Sequence, residues 1–342
     1  MIKKLLGALY LKVFVNIIVQ RSTIVVYIEH CDGDNIVESL EKKFQTIYLT
    51  KAVEEFIDSH TNETPYFYIS ILDKSQLQGA LPTCNPKEHA KHIELASHHI
   101  KCYNKSWSHY TQKSDLLLLQ KEYTRIGLDY IFSPFVLLAE FYKEKIELHT
   151  AMYILIEDGF LSLSVFELGE LLFSEHLDML YKEESGELLI DDAMEDIGIN
   201  FDIENSIDLD DLNSIDDLED FDDLGDIEDL DDIEEIDEFS DERELESLTA
   251  AKENNLSALD STRGGGFNED YQRFSMIQAS VKHFYKNTKY KSVFIENVYI
   301  ADAIGLSEDL KHYLEDEMFL NVHVKTISLA KEISVLAKKE QK

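Results

Sequence analysis

Cysteine is scarce in this sequence and unevenly placed. The three cysteines are Cys31, Cys84 and Cys102, an odd number at wide spacing. Secreted domains that depend on disulfides carry a denser and even-numbered set. The sequence therefore predicts no disulfide framework and fits a reducing compartment.

Long apolar runs are missing too. The first 20 residues are largely apolar, but Lys12 interrupts them and no small-residue cleavage site of a signal peptide follows. The run falls short of the ~20 apolar residues that a membrane-spanning helix needs. We therefore predict no transmembrane segment and a cytoplasmic protein.

Basic residues are absent from residues 183–242, which hold 29 acidic residues. Without this block the net charge of −36 would be −7, so the acidity belongs to one segment. From residue 209 to residue 239 an apolar residue recurs at every third position, a period that places no stripe on one face of an α-helix. We predict a mostly disordered low-complexity insert over residues 183–266, either a solvated linker or an acidic docking segment for a basic partner. Its charge argues against direct contact with nucleic acid.

Signatures of catalysis and metal binding are missing as well. No Ser-His-Asp or Cys-His spacing supports a nucleophilic hydrolase, and no GK[ST] follows the glycine run at residues 264–266. The irregular, histidine-rich segment 80–112 contains four possible zinc ligands, Cys84, His89, His92 and Cys102. They lack the tight paired spacing of structural zinc sites. We predict no catalytic residue and no metal, and interpret the segment as a surface loop and helix with incidental histidines.

The strongest pattern that is present covers residues 152–176, MYILIEDGFLSLSVFELGELLFSEH. An apolar run, the polar break Glu157-Asp158-Gly159, an alternating run, a second break and a third apolar run indicate adjacent antiparallel strands. Further strands are expected at residues 8–29, 65–72, 129–132, 298–300 and 320–324. Helices are expected at residues 36–44, 50–60, 114–123, 133–143, 270–285, 308–317 and 328–336. This mixture indicates an α/β fold.

The order of these elements resembles the actin-like ATPase domains of pilus-assembly PilM and of the cytoplasmic part of the secretion protein GspL, with FtsA as a more distant relative. The segment ILIEDGFLSLSVFELGELLFSEH resembles the second phosphate hairpin of that family, with Glu157-Asp158-Gly159 in place of D-x-G. The segment SVFIENVYIADAIGLSEDLKHYLEDEMFLNVHV resembles its adenosine-side segment. The resemblance implies an actin-like, ribonuclease H-like fold of two lobes with mixed sheets and helices. The lobes would comprise residues 1–150, and residues 151–182 with 267–342.

Two departures from the family pattern bear on the nucleotide. The first hairpin has no D-x-G and no glycine at its turn, where the family brings backbone close to phosphate. Ala301-Asp302 stands where the family has Gly-Gly beside the nucleoside. Glu157, Asp158, Gly159, Ala301 and Asp302 therefore mark degenerate cofactor positions, and we expect no bound cofactor.

The resemblance also implies partners. It favours a non-catalytic scaffold in a type II secretion, type IV pilus or DNA-uptake assembly, at the inner face of the cytoplasmic membrane. Such a scaffold would bind the cytoplasmic tail of a membrane protein and also an assembly ATPase. In the family that tail docks in the groove of an added subdomain near the N-terminal half. The alternative is an active, divergent ATPase that binds ATP and magnesium through Glu157 and Asp158.

Overall fold

A computed structural model of the protein describes residues 10–179, 269–305 and 308–341. These residues belong to one compact unit. The predicted acidic insert, residues 183–266, lies outside the described residues. Within them, no helix is long and apolar enough to cross a membrane.

The first lobe contains eight strands and the helices between them. Its strands are β1 Lys12–Val19, β2 Ile24–Asp32, β3 Asn35–Phe44, β4 Phe67–Leu72, β5 Gln78–Leu81, β6 His98–Tyr103, β7 Trp107–Gln112 and β8 Tyr130–Phe132. Its helices are α1 Lys51–Thr61, α2 Pro86–His89, α3 Lys113–Glu122, α4 Pro134–Phe141 and α5 Lys143–Leu148.

The second lobe is built around five strands: β9 Thr150–Ile156, β10 Phe160–Glu167, β11 Glu170–Asp178, β12 Asn297–Asp302 and β13 Asn321–Thr326. The helices after β11 are α6 (residues 269–286), α7 Glu308–Met318 and α8 Leu329–Gln341.

Two five-stranded sheets share one topology. Their strand orders are β3-β2-β1-β4-β8 and β11-β10-β9-β12-β13. In each sheet the first three strands in sequence are antiparallel neighbours, and the last two join as parallel strands. One such sheet in each lobe is the actin-like, ribonuclease H-like architecture that the sequence predicted. The fold prediction is confirmed.

Buried apolar side chains form three layers. Between the lobes, side chains of both sheets pack with α4 and α8. The outer face of the first sheet packs against α1 and Leu119 of α3, and the outer face of the second packs against α6 and α7. The sequence prediction grouped residues 328–336 with the second lobe, but α8 packs on β1, β2 and β4 of the first sheet. Its buried residue Ser334 donates a hydrogen bond to Glu29 of β2, 2.6 Å away.

Two predictions of local structure are wrong. Residues 36–44 form the edge strand β3 and not a helix. Leu40 and Phe44 pack partly buried against the core, and a spacing of four residues fits a strand face as well as a helix face. Residues 80–112, predicted as a surface loop and helix, contain the short helix α2, but most of the segment forms an antiparallel sheet of order β5-β7-β6, inserted between β4 and β8.

Candidate functional site

The tips of the two equivalent hairpins meet. The turn after β1 contains Arg21, and the turn after β9 contains Asp158. The backbone N–H of Arg21 donates to Oδ2 of Asp158 at 3.0 Å, and its Nε lies 3.3 Å from Oδ1. Both side chains are about one-third exposed, at 30% and 31%. The Arg21–Asp158 ion pair therefore joins the turns of the two hairpins.

The neighbouring carboxylate is also paired. Glu157 is fully buried and forms an ion pair with Lys74, which follows β4. The Lys74 ammonium lies 5.5 Å from the centre of the Phe160 ring, so it is held by charge and by the aromatic face. Oε1 of Glu157 has no hydrogen-bond partner among the described residues. A buried carboxylate of this kind depends on its single cation, because an unpaired charge is costly in the interior.

A second cluster of charges lies beside the Arg21 contact. Arg21 Nη1 is 3.2 Å from Oε1 of Glu269, at the start of α6. Oε2 of Glu269 lies 2.8 Å from Nη2 of Arg273, which is buried and also pairs with Asp270. Burial raises the pKa of Asp270, against the opposing effect of Arg273. The first hairpin is thereby linked to α6 through alternating positive and negative groups.

The predicted nucleoside turn lies at the same end of the second sheet. Ala301 is buried, and Asp302 pairs in register with Ile156, directly before Glu157. The Asp302 carboxylate accepts hydrogen bonds from the backbone N–H groups of Ile304 at 2.9 Å and Gly305 at 2.8 Å. The structure thus brings together Glu157, Asp158 and Asp302 at one sheet end. Asp302 serves to close its own turn.

The three carboxylates at this sheet end already have partners within the chain. Magnesium needs carboxylate oxygens or phosphates in octahedral geometry, and the phosphates need close backbone N–H groups. Here Glu157 is paired with Lys74, Asp158 is paired with Arg21, and Asp302 accepts from backbone.

Sequence reasoning missed three cations of this site, Arg21, Lys74 and Arg273. Arg21 left one readable signal, because it occupies a turn where the family has glycine. Lys74 left none, because it follows a strand. Arg273 stands four residues after Glu269 and three after Asp270, a spacing that predicts ion pairs within a helix. The partner of Lys74 lies 83 positions away in the sequence, and the partner of Arg21 lies 137 positions away. Both pairings therefore depend on the fold.

A groove lies between the inserted sheet on one side and α3 and β8 on the other. Its cavity has a volume of about 450 Å³. Leu116, Leu117, Leu128 and Ile131 supply apolar lining, and Lys101 and Lys113 supply positive charge, with His99, His109, Asp73 and Asp129 among the other lining residues. Burial lowers the pKa of His109 to about 4, with smaller effects from Lys101 and His99. This imidazole is therefore neutral near pH 7.

The inserted sheet also corrects the cysteine prediction. The sequence predicted no disulfide framework, but Cys84 and Cys102 are joined in one disulfide that ties the loop before α2 to β6. Cys31 is free and buried. A disulfide leaves neither sulfur as a thiolate ligand, which removes two members of the possible zinc set. In the described ranges, no group of three or more His, Cys, Asp or Glu side chains is placed to hold a metal ion.

Solved structures with low sequence identity cover almost the whole chain. A Bacteroides thetaiotaomicron protein with actin-like ATPase fold and unknown function is 11% identical, with a TM-score of 0.44 and 95% of each chain covered. A PilM-PilN type IV pilus biogenesis complex gives 10% identity and a TM-score of 0.47, covering 95% of this chain and 94% of the other. The activator of the 2-hydroxyisocaproyl-CoA dehydratase from Clostridium difficile, with bound ADPNP, is 11% identical, with a TM-score of 0.40. It covers 96% of this chain and 95% of the other.

Family models match both lobes, while no curated protein matches the chain. Residues 10–139 match a domain of unknown function, DUF8569. Residues 152–342, more than half of the chain, match a second domain of unknown function, DUF8341. The chain therefore belongs to the DUF8341 family.

Proposed function

We propose that this protein is a non-catalytic scaffold that binds the cytoplasmic tail of a membrane protein in a type II secretion, type IV pilus or DNA-uptake assembly. The observation that carries the proposal is the pairing of Arg21 with Asp158 across the two hairpins, together with the Lys74–Glu157 pair. These contacts hold the lobes together with the chain's own side chains. The assembly context comes from the sequence resemblance to pilus and secretion proteins.

The energetics favour a cleft that stays closed to nucleotide. The Lys74–Glu157 pair is buried on the carboxylate side, and removing the cation from a buried pair costs about 3–5 kcal/mol. The Arg21–Asp158 pair is more exposed and contributes less, about 1 kcal/mol or below. A nucleotide would have to offset both before gaining any contact of its own.

An ATP titration tests the scaffold against the alternative of an active ATPase. We expect no saturable heat of binding when ATP and magnesium chloride are titrated calorimetrically into the full chain, even at millimolar nucleotide. Asp158→Asn should behave in the same way, because no metal depends on this carboxylate. Micromolar binding that Glu157→Ala or Asp158→Asn abolishes would overturn the proposal. Circular dichroism of each variant establishes that it is folded.

The groove supplies the site for the tail. Its apolar lining from α3 and β8 suits a short peptide with apolar anchors, and the inserted sheet forms its other wall. In the family that the sequence resembles, the tail also docks in the groove of an added subdomain near the N-terminal half. A membrane protein anchored beside it would hold the scaffold at the inner face of the membrane, and an assembly ATPase would be a second partner.

Two adjacent leucines provide a matched test of the groove. Leu117 and Leu118 are equally exposed, at 65% and 66%, but only Leu117 lines the groove. We expect Leu117→Asp to reduce recovery of the membrane protein partner at least about tenfold in affinity purification from the native organism, as removal of an interface anchor does. Leu118→Asp should recover the partner as the wild type does.

Quantitative mass spectrometry of the captured membrane fraction reads out the result. Equal loss in both variants would point to damage of α3 and contradict the assignment of the groove. Recovery that neither change affects would place the tail elsewhere.

A further inference from the structure

The disulfide lies on the inserted sheet, on the face turned away from the groove. It joins Cys84, in the loop before α2, to Cys102 of β6. His99 and Lys101 of the same strand line the groove. Successive side chains of a strand point to opposite faces, so Cys102 lies on the reverse of the groove wall. The bond therefore fastens the back of the strand whose front helps to form the groove.

β6 has few attachments besides the disulfide. It is an edge strand that pairs with β7, and none of its residues is fully buried. Its last residue, Tyr103, packs on the Trp107 ring with centres 4.8 Å apart and donates a hydrogen bond to Glu140. Lys101 lies 3.9 Å from Glu340, and both side chains are at least half exposed, so this pair contributes little. The middle of β6 therefore depends mainly on β7 and on the disulfide.

The loop before α2 has other attachments to the sheet. The hydroxyl of Ser108 in β7 donates to the carbonyl oxygen of Thr83 at 2.8 Å, and Nε2 of His89 lies 3.0 Å from the same oxygen. Both Ser108 and His89 are buried. Breaking the sulfur–sulfur bond therefore frees β6 from the loop but leaves the loop attached to β7.

The fold accommodates the reduced cysteines as well. Cys102 is exposed and Cys84 is half-buried, so a reductant reaches the bond from solvent. The Cys84 sulfur lies 3.1 Å from the carbonyl oxygen of Trp107. A disulfide sulfur carries no proton, so this contact becomes a hydrogen bond only when Cys84 is a thiol. The carbonyl is thus an acceptor already in place for the reduced form.

The position of the disulfide favours a regulatory role over a structural one. Exposed disulfides are the ones that exchange readily with external thiols. In the reducing compartment that the sequence favours, disulfides are usually transient and act in redox sensing or catalysis. Because the proposed function is non-catalytic, redox sensing is the role that remains.

We propose that the Cys84–Cys102 disulfide is a redox switch that controls binding of the tail. The oxidised form holds β6 against the loop and keeps His99 and Lys101 in position at the groove. In the reduced form β6 is loosened, and ordering the strand when the tail binds costs conformational entropy, so the affinity falls. This inference rests on the proposed function, because it takes the groove as the docking site of the tail.

A dithiol is the reductant. One of its thiolates attacks Sγ of Cys102, the sulfur–sulfur bond breaks, and the sulfur of Cys84 leaves as a thiolate and takes up a proton. The second thiol of the reductant then attacks the mixed disulfide and releases Cys102, which is protonated in turn. The chain gains two electrons and two protons, and the dithiol is oxidised to its own disulfide.

Hydrogen exchange of the full chain, oxidised and after reduction by dithiothreitol, tests whether the disulfide holds β6. We expect at least about tenfold faster amide exchange in residues 98–103 after reduction, and unchanged exchange in β10. Cys84→Ser with Cys102→Ser should exchange like the reduced wild type and ignore dithiothreitol. Cys31→Ser, which removes the buried free cysteine, should respond as the wild type does.

Two results of the exchange experiment would overturn the switch. One is exchange of β6 that reduction leaves unchanged. The other is faster exchange over the whole first lobe, because the disulfide would then stabilise the fold and not one strand.

Capture of the partner tests the effect on the groove. The readout is the membrane protein that Leu117→Asp fails to recover, and the double serine variant replaces chemical reduction, so no reductant touches the partner. We expect the double variant to recover at least about tenfold less of it than the wild type or Cys31→Ser does. Full recovery by the double variant would overturn the switch and leave the groove as the docking site. A partner that Leu117→Asp recovers in full would contradict the groove, and the switch falls with it.

Discussion

Arg273→Met is expected to lower the free energy of unfolding by about 3–5 kcal/mol, the usual cost of removing one partner from a buried ion pair. The Arg273 side chain is only 2% exposed, and that of Asp270 is 5% exposed. Methionine fills similar space but leaves the Asp270 carboxylate buried without a cation. Chemical denaturation followed by circular dichroism gives the measurement.

Two companion variants separate charge from packing. In Arg273→Met with Asp270→Asn the buried charge is removed together with its partner, so most of the lost stability should return. Lys311→Met removes one side of the exposed Lys311–Glu315 pair, which should change stability by less than about 1 kcal/mol. If Arg273→Met proved as mild as Lys311→Met, the buried pair would not stabilise the second lobe.

The same cluster explains how α6 reaches the hairpins. Glu269 contacts Arg273 on one side and Arg21 on the other. Arg273→Met should therefore also loosen the first hairpin. Hydrogen exchange of the turn between β1 and β2 would report that effect separately from global unfolding.

The sequence predicted the strands of both lobes where one face of the strand is buried or where the whole strand is buried. The run 152–176 became β9, β10 and β11 because its alternation and breaks match hairpin geometry. Ser133 and Pro134 marked the start of α4, where the Ser133 hydroxyl accepts from the N–H of Phe135 at 3.3 Å. Such signals depend only on neighbouring residues, so they can be recognised in the sequence without a structure.

Features that depend on distant pairing were not readable. β3 is an edge strand with mostly exposed residues, so its period carried no signal of burial. The disulfide joins cysteines 18 positions apart, which the sequence alone could not pair. The same holds for the site. The turns in the sequence indicated Glu157, Asp158 and Asp302, but nothing in the sequence paired Lys74 with Glu157 or Arg21 with Asp158.

Acid is expected to destabilise the protein through His176. The pKa of this imidazole is lowered to about 3, mainly by burial and then by the nearby Lys74 ammonium. Its Nδ1 lies 2.8 Å from the hydroxyl of the buried Ser162, and its ring stacks on Phe160 with centres 5.1 Å apart. These contacts favour the neutral ring.

The sign of the pH effect follows from proton binding. In the unfolded chain the imidazole has a pKa of 6.5, so between that value and about 3 the unfolded state binds the extra proton. Stability from His176 is therefore present above pH 6.5 and is lost as the pH falls towards 3, by up to about 1.4 kcal/mol per pH unit. Glu29 adds loss in acid: burial alone would raise its pKa, but hydrogen bonds from Lys338, Ser334 and Tyr27 lower it.

His176→Gln isolates the contribution of the imidazole. Glutamine still reaches the Ser162 hydroxyl but carries no titratable group, so the stability of the variant should fall less steeply as acid is added. Denaturant unfolding of both proteins across a pH series measures the difference. Above about pH 7 the two curves should run parallel, because the imidazole takes up no proton in either state there. Equal slopes between pH 6 and pH 4, to within about 0.3 kcal/mol per pH unit, would mean that His176 takes up its proton in the folded chain as readily as in the unfolded one.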